Sequence, residues 1–304
     1  MKRLPGLCLV FASLHALAMP PGAIALWPGA PPGGAAGGPQ LASGKGSITQ
    51  VAQPYLIAHL PARSTGMAML VISGGGYAHI EAGKESGPAA AWLQAQGIAA
   101  FELVYRLPRE GGGTQAPFQD AQRAMRLLRF HAAQWQIDPA RIGVLGFSAG
   151  AHLAGITAVR PDAPLTVATD AIDQASARPD FAVLLYPVLT MQAPFDTTHA
   201  KKILLGAAPS HSARDALSVE LQVDGRTPPV FLAQALDDPI APVDNSLLMF
   251  AALRRAQVPA ELHVFQRGGH GWGMGKPGSE PAAWPLLLQA WLKAGFIGNH
   301  PAVR

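Results

Sequence analysis

One serine stands in a setting where its hydroxyl could act as a nucleophile. Ser148 is the middle residue of the GFSAG segment at 146–150, which follows the apolar run IGVL at 142–145 and precedes small residues. A strand that turns directly into a helix at a G-x-S-x-G pattern exposes the serine, and the flanking glycines allow the close turn. The pattern therefore predicts a nucleophile elbow at Ser148, suited to attack on a carbonyl carbon.

A nucleophilic serine needs a histidine base and a carboxylate that orients the base. In one recurrent arrangement the acid and then the histidine follow the serine, each in a loop after a strand. Among the later histidines, His263 lies inside the last strand pattern, whereas His270 follows that strand in the glycine-flanked segment GGHG at 268–271. We therefore predict His270 as the base.

Two adjacent aspartates follow the preceding strand pattern at 230–236. Because neighbouring side chains point in different directions, one carboxylate can reach the histidine while the other hydrogen-bonds the turn. The residues alone leave Asp237 and Asp238 open, with Asp196 as an outside candidate. Asp244 is expected to be a carboxylate in the first turn of a helix.

Three successive glycines end a buried strand pattern at 67–73. Such a loop can turn its N–H groups inward, and we expect one N–H of Gly75 or Gly76 to form an oxyanion hole with the N–H of Ala149. The alternative is a tight turn with no chemical role.

The elements that would position these residues alternate between strand and helix. We predict strands at 67–73, 98–105, 142–147, 181–187, 230–236 and 262–265, and helices at 81–96, 118–135, 243–257 and 281–294. This α/β order predicts a mostly parallel sheet covered by helices on both faces, with one or two antiparallel edge strands at 48–60. The irregular excursion at 188–226 is expected to form part of the substrate wall. Arg123, Arg126 and Arg129 are expected on a solvated helix face.

Composition suits one large domain, since the 304 residues are 49% hydrophobic and 14% charged. The N-terminus resembles a signal peptide: Lys2 and Arg3 precede an apolar stretch, and A-I-A at 23–25 offers a cleavage site. We therefore predict a leader at 1–25, a Gly/Pro-rich arm at 26–46 and a catalytic domain at 47–298. The protein would be exported to the periplasm or beyond the cell; the alternative is a loose N-terminal helix in a cytosolic protein.

The sequence favours no cofactor, metal, nucleic-acid or membrane partner. Removing Lys2 and Arg3 lowers the formal charge from +4 to +2, and few basic residues are paired elsewhere. The only cysteine, Cys8, lies in the predicted leader, and no H-E-x-x-H pattern occurs. The glycines at 143 and 146 do not complete a dinucleotide-binding fingerprint.

Several longer segments carry a family resemblance: LWPG at 26–29, GGGYAH at 74–79, AAFELVYRLP at 99–108, DAQRAMR at 120–126, DPARIGVLGFSAG at 138–150, DDP at 237–239, PVDNS at 242–246 and GGHG at 268–271. With these, the chain resembles the exported acetyl esterases of the BD-FAE type, a branch of the α/β-hydrolases, from residue 26 to about 296. Similar proteins use the aspartate two residues before a Val/Ile-x-Pro element, which here implies Asp238 as the acid. Two residues depart from the pattern. Many relatives have His or Pro at the position of Ser73, and they usually have Gly at the position of Ala151.

The resemblance implies a serine esterase acting on acetyl esters of carbohydrates. Ser148, His270 and Asp238 would be the catalytic triad, with Gly75 or Gly76 and Ala149 at the oxyanion. Tyr77 and Trp272 could stack against a sugar ring, although packing is the alternative role for both. A general carboxylesterase, an arylformamidase-like amidase, a prolyl-oligopeptidase-type peptidase and a non-catalytic binding protein of the same fold are the competing interpretations.

Overall fold

A single large β-sheet organises the protein. The computed structural model describes residues 19–34, 40–111 and 113–297. Its strands are β1 Ile24–Ala25, β2 Leu41–Ala42, β3 Ile48–Thr49, β4 Tyr55–His59, β5 Ala68–Ile72, β6 Ala99–Val104, β7 Ile142–Phe147, β8 Ala182–Leu185, β9 Val230–Ala235 and β10 Ala260–Phe265. The helices are α1 Ser86–Ala95, α2 Ala116–Phe130, α3 Ala149–Val159, α4 His199–Leu205, α5 His211–Leu217, α6 Asp244–Arg255 and α7 Trp284–Leu292.

The sheet contains eight strands in the order β1-β4-β6-β5-β7-β8-β9-β10. Strand β4 is antiparallel to both β1 and β6, whereas every pair from β6 to β10 is parallel. The carboxyl ends of the parallel strands therefore meet at one edge, where such sheets gather their functional loops. Strands β2 and β3 form a separate antiparallel pair. The mostly parallel α/β architecture predicted from the sequence is confirmed.

Side chains of the central strands alternate between two apolar cores. In β5, Leu70 and Ile72 pack into one core with residues of α2, α3 and α6, while Met69 and Val71 pack into the other with residues of α1 and α7. Strands buried on both faces need continuous apolar sequence, which explains the unbroken runs at 67–72 and 142–147.

Helix α1 begins five residues later than the predicted start at residue 81. A proline is tolerated only in the first turn of a helix, because its ring clashes with the carbonyl four residues earlier. Pro88 therefore prevents a helix from running through residues 81–85, which instead form turns beside the glycine loop.

The prediction that Arg123 lies on a solvated face of α2 is wrong, because this residue is 1% exposed. Its guanidinium donates to Asp173 at 2.8 Å, also pairs with Asp170, and lies 5.1 Å from the centre of the Trp27 ring. Amphipathic spacing did not reveal this role, because the acids and the tryptophan come from distant segments that pack over the helix.

Residues 1–18 of the predicted leader lie outside the described part of the chain. The last two residues of that leader form β1, so cleavage after Ala25 would remove this edge strand. The arm that follows is attached to the domain: Leu26 and Trp27 are buried, and the Trp27 Nε1–H donates to Asp120 at 3.0 Å. In the described ranges, no helix has the length and apolar composition needed to cross a bilayer.

Candidate active site

Ser148 occupies a sharp turn between β7 and α3. Its backbone has φ 51° and ψ −117°, a left-handed conformation that is strained for a residue with a side chain. A Cβ at Gly146 would lie 2.3 Å from the carbonyl oxygen of Gly150, and a Cβ at Gly150 would lie 2.3 Å from that of Ile72. Only glycine fits at these two positions, so the turn holds the Ser148 hydroxyl at the carboxyl edge of the sheet.

His270 and Asp238 lie in line with this hydroxyl. Ser148 Oγ is 2.8 Å from His270 Nε2, and His270 Nδ1 is 2.7 Å from Asp238 Oδ2. Because a carboxylate accepts, Nδ1 carries the proton and Nε2 is free to accept from the serine. The arrangement can transfer a proton from Ser148 to His270 while Asp238 supports the resulting charge.

The Asp238 carboxylate is itself held by three donors. Oδ1 accepts the N–H groups of Ile240 at 2.8 Å and Ala241 at 2.9 Å, and Oδ2 also accepts the Gln234 amide at 3.0 Å. A buried acid with this many donors stays oriented toward the histidine.

Asp237 points the other way and shapes the histidine loop. Its Oδ1 accepts the N–H groups of Gly268 and Gly269, each at 2.8 Å. The hydrogen bond from Gly269 has the larger effect, and together the two lower the pKa of the exposed Asp237 carboxyl. Asp238 thus contacts His270 while Asp237 hydrogen-bonds the histidine loop, as expected for adjacent side chains that point in different directions.

The other candidates from the sequence lie elsewhere. Asp196 pairs with Lys201 at 3.3 Å, and Asp244 is in the first turn of α6. His263 on β10 contacts Glu261 at 2.6 Å.

The glycine loop after β5 faces Ser148. Gly75 and Gly76 have φ of 117° and 63°, and both line the same cavity as Ser148 and Ala149. A Cβ at Gly75 would lie 2.1 Å from the His79 carbonyl oxygen, so this conformation requires glycine. Within the described residues, the N–H groups of Gly75, Gly76 and Ala149 have no protein acceptor. Free N–H donors beside a nucleophile can stabilise a developing oxyanion.

The cavity above Ser148 has a volume of about 520 Å³. Its lining is mainly apolar, and the polar side chains on the side of the glycine loop include His79, whose Nε2 lies 2.7 Å from Glu81 Oε1. His199 lies over the same loop and is 3.1 Å, measured at Cδ2, from where a Gly76 Cβ would be. Val188 and Ile240 are apolar parts of the lining. Val188 and the lining residues 198–200 belong to the excursion that was expected to form the substrate wall.

Neither aromatic residue considered for sugar stacking lines the cavity. Tyr77 is 0% exposed, and its hydroxyl is 2.8 Å from Nδ1 of the buried His152, so stacking of a ligand on Tyr77 is excluded by burial. Trp272 packs edge-on against Tyr186, with ring centres 4.4 Å apart, and also contacts Phe265. Packing is therefore the role of Tyr77, whereas Trp272 is half-buried and its stacking role stays a prediction.

His152 supports the glycine loop from below. Its Nε2 lies 2.8 Å from the Leu217 carbonyl, which can only accept, so Nδ1 accepts the Tyr77 O–H. Burial lowers the pKa of His152 from 6.5 to about 4. The neutral ring therefore fixes the side chain of Tyr77, the residue that follows Gly76. In the sequence His152 stands out only as part of a helix start, and nothing there indicates this contact.

Comparisons with known proteins identify the family of the chain and its structural relatives. The family model described as BD-FAE matches residues 57–253. The chain belongs to this family. An acetyl ester-xyloside bifunctional hydrolase from Caldicellulosiruptor lactoaceticus is similar in structure, with a TM-score of 0.77 and 36% identity over 90% of this chain and 95% of that one. A carboxylesterase from Lactobacillus plantarum is 26% identical with a TM-score of 0.66, over 81% of this chain and 93% of that one. The α/β-hydrolase fold expected from the resemblance is confirmed.

Two curated relatives are longer proteins. The acetylxylan esterase of Xylanibacter ruminicola is 31% identical over 85% of this chain and 52% of its own length. Endo-1,4-beta-xylanase B of Butyrivibrio fibrisolvens is 38% identical over 67% of this chain and 32% of its own length. The chain thus spans 32% and 52% of the length of these two relatives.

Proposed function

We propose that this BD-FAE family member is a serine esterase that hydrolyses short-chain esters, chiefly acetyl esters of carbohydrates. The observation that carries the proposal is the continuous line from Ser148 Oγ through His270 to Asp238, with contacts of 2.8 and 2.7 Å. The relatives named as acetylxylan esterase and ester hydrolase support it.

The mechanism is a two-step acyl transfer. Ser148 Oγ attacks the ester carbonyl while His270 Nε2 takes its proton, and the carbonyl oxygen becomes an oxyanion facing the N–H groups of Ala149 and of Gly75 or Gly76. As the tetrahedral intermediate collapses, the C–O bond breaks and His270 gives its proton to the departing alcohol. Water then attacks the acyl carbonyl while His270 takes its proton. The bond from Ser148 Oγ to the acyl group breaks, His270 returns the proton to Oγ, and the acid is released.

The polar side chains within the lining support a hydroxyl-rich alcohol. Since His270 protonates the leaving oxygen, the alcohol departs on the side of the His270 loop. Lys84, three residues after Glu81, borders that loop, since a Cβ at Gly271 would lie 3.4 Å from Lys84 Nζ. A partly exposed imidazole and carboxylate offer both donors and acceptors, as sugar hydroxyls require.

A general carboxylesterase is the second candidate. It is favoured by the mainly apolar lining, which includes Val188 and Ile240, the latter 50% exposed. Such a surface suits an acyl or alcohol group without hydroxyls.

The substrate proposal is tested by comparing kcat/KM for acetylated xylo-oligosaccharides, p-nitrophenyl acetate and p-nitrophenyl butyrate. A carbohydrate acetylesterase releases acetate from the saccharide and prefers acetyl to butyryl. In the His79→Ala variant, kcat/KM should fall about tenfold further for the saccharide than for the aryl ester, the worth of about one hydrogen bond. Equal losses on both substrates, or no acetate from the saccharide, would favour the general carboxylesterase.

We further propose that the protein is exported after removal of residues 1–25. The support is the charged start, apolar stretch and A-x-A site of the sequence. N-terminal sequencing of the protein recovered outside the cytoplasm should begin at Leu26. Recovery of the chain with Met1 intact, in the cytoplasm alone, would contradict export.

A further inference from the structure

A buried glutamate connects the two loops that flank Ser148. Glu85 is 3% exposed and lies immediately before α1. Its Oε2 accepts the Gly74 N–H at 2.6 Å, and its Oε1 accepts the Tyr186 O–H at 2.8 Å. Gly74 is the first glycine of the loop after β5, and Tyr186 follows β8. One carboxyl group thus links the ends of β5 and β8, the two strands on either side of β7.

Tyr186 extends this connection to the histidine loop. Its hydroxyl oxygen accepts the Gly273 N–H at 3.2 Å, and its ring packs edge-on against His270 with centres 5.1 Å apart. The backbone of Tyr186 has φ 36°, which is unfavourable for a residue with a Cβ and is maintained by these contacts. The path from Gly74 to Glu85, Tyr186 and Gly273 therefore spans the catalytic centre beneath the cavity.

The contacts require Glu85 to act as an acceptor at both oxygens. A proton on Oε2 would displace the Gly74 N–H, and a proton on Oε1 would reverse the direction of the hydrogen bond with the Tyr186 hydroxyl. Burial raises the pKa of Glu85, and the nearby charge of Glu81 raises it further, while the hydrogen bonds from Gly74 and Tyr186 and the proximity of His270 lower it. Tyr105 is a further titratable group close to it.

We propose that Glu85 is a positioning residue for the reaction, holding the oxyanion loop and the His270 loop in register with Ser148. By fixing Gly74, it aims the N–H groups of Gly75 and Gly76 at the oxyanion. Through Tyr186, it fixes the loop that carries His270. The inference rests on the proposed ester hydrolysis and adds a residue outside the triad to it.

The test uses p-nitrophenyl acetate with wild-type protein, Glu85→Gln, Tyr186→Phe and the double variant. Glutamine has the size of glutamate but directs an N–H₂ group at one of the two donors. Because oxyanion contacts strengthen in the transition state, Glu85→Gln should lower kcat about 10- to 100-fold with KM changed less than about threefold. Tyr186→Phe should lower kcat less, and the double variant should lose less than the product of the two single losses, as expected for one connected path.

Glu102→Gln is the matched control. Glu102 is another buried carboxylate that contacts the first turn of α1, through Ser86 Oγ at 2.6 Å, but it lies outside the cavity lining. This variant should lower the melting temperature and keep kcat within about twofold of wild type.

The outcomes separate the inference from the proposed function. Wild-type protein with no esterase activity would refute the proposed function. Active wild-type protein with a Glu85→Gln variant that keeps its kcat, or loses it only in parallel with Glu102→Gln, would refute the role of Glu85 alone. If Glu85→Gln does not fold, Tyr186→Phe decides, and wild-type kcat in that variant overturns the inference.

Discussion

His152 should make the protein lose stability in mild acid. Burial lowers the pKa of its ring from 6.5 to about 4, so the unfolded chain takes up the proton first as the pH falls. The stability contribution is fully present above pH 6.5 and is lost progressively down to about pH 4. The gap between the two pKa values corresponds to about 3 kcal/mol of unfolding free energy, at about 1.36 kcal/mol per pH unit.

The measurement compares urea unfolding of wild type and His152→Gln at several pH values between 7 and 4.5. Glutamine cannot titrate, and its amide can still donate toward the Leu217 carbonyl. The variant is expected to be less stable at neutral pH because it loses the Tyr77 contact, and the difference from wild type should shrink steadily as the pH falls.

Taking the difference between the two proteins cancels the contributions of other groups. Burial raises the pKa of Glu85 and of Glu220, which acts in the opposite direction, since a raised carboxyl pKa favours the folded state as pH falls. Unfolding free energies of wild type and variant that stay parallel from neutral to acid pH would refute the assignment of His152 as a buried neutral ring.

Three further substitutions have effects that follow from single contacts. Asp238→Asn should lower kcat on p-nitrophenyl acetate about 10³- to 10⁴-fold because the histidine tautomer is no longer fixed, whereas Asp237→Asn should cost less than about tenfold; similar losses in both would contradict the assignment of the acid. Gly75→Ala should lower kcat at least about 100-fold, since its Cβ would lie 2.1 Å from a carbonyl oxygen, whereas Gly225→Ala, with open space around it, should not; full activity of the first would remove the loop from the mechanism. Arg123→Ala should lower the urea unfolding free energy by about 3–5 kcal/mol, because Asp173 keeps a buried charge; a loss below about 1 kcal/mol would show that this ion pair is relaxed in solution.

The sequence indicated the parts of the site that local rules govern. The elbow around Ser148 and the loop of His270 both follow apolar strands, and chain order then narrows the acid to two neighbours. The choice between Asp237 and Asp238 depends on which carboxylate faces the histidine, and the residues alone left it open. The family resemblance favoured Asp238, and the distance to His270 agrees.

Contacts between segments that lie far apart in the sequence could not be predicted from local patterns. Glu85 fell within a predicted helix, and its partner Tyr186 fell at the end of a predicted strand, so nothing in the pattern joined them. Tyr77 follows the glycine loop, but the packing of α3 beneath it turns its side chain inward to His152. Arg123 shows the same limit, because helical spacing identifies a face without identifying the segments that cover it.

The proposed mechanism requires that the Ser148 hydroxyl becomes acylated during ester hydrolysis. The most direct measurement is peptide mass spectrometry of protein mixed with p-nitrophenyl acetate and quenched in acid within the first turnover. We expect one acetyl group on the peptide that contains residues 142–159, localised to Ser148, and neither acetylation nor turnover in Ser148→Ala. An acetyl group on another residue, or turnover that persists in Ser148→Ala, would contradict it.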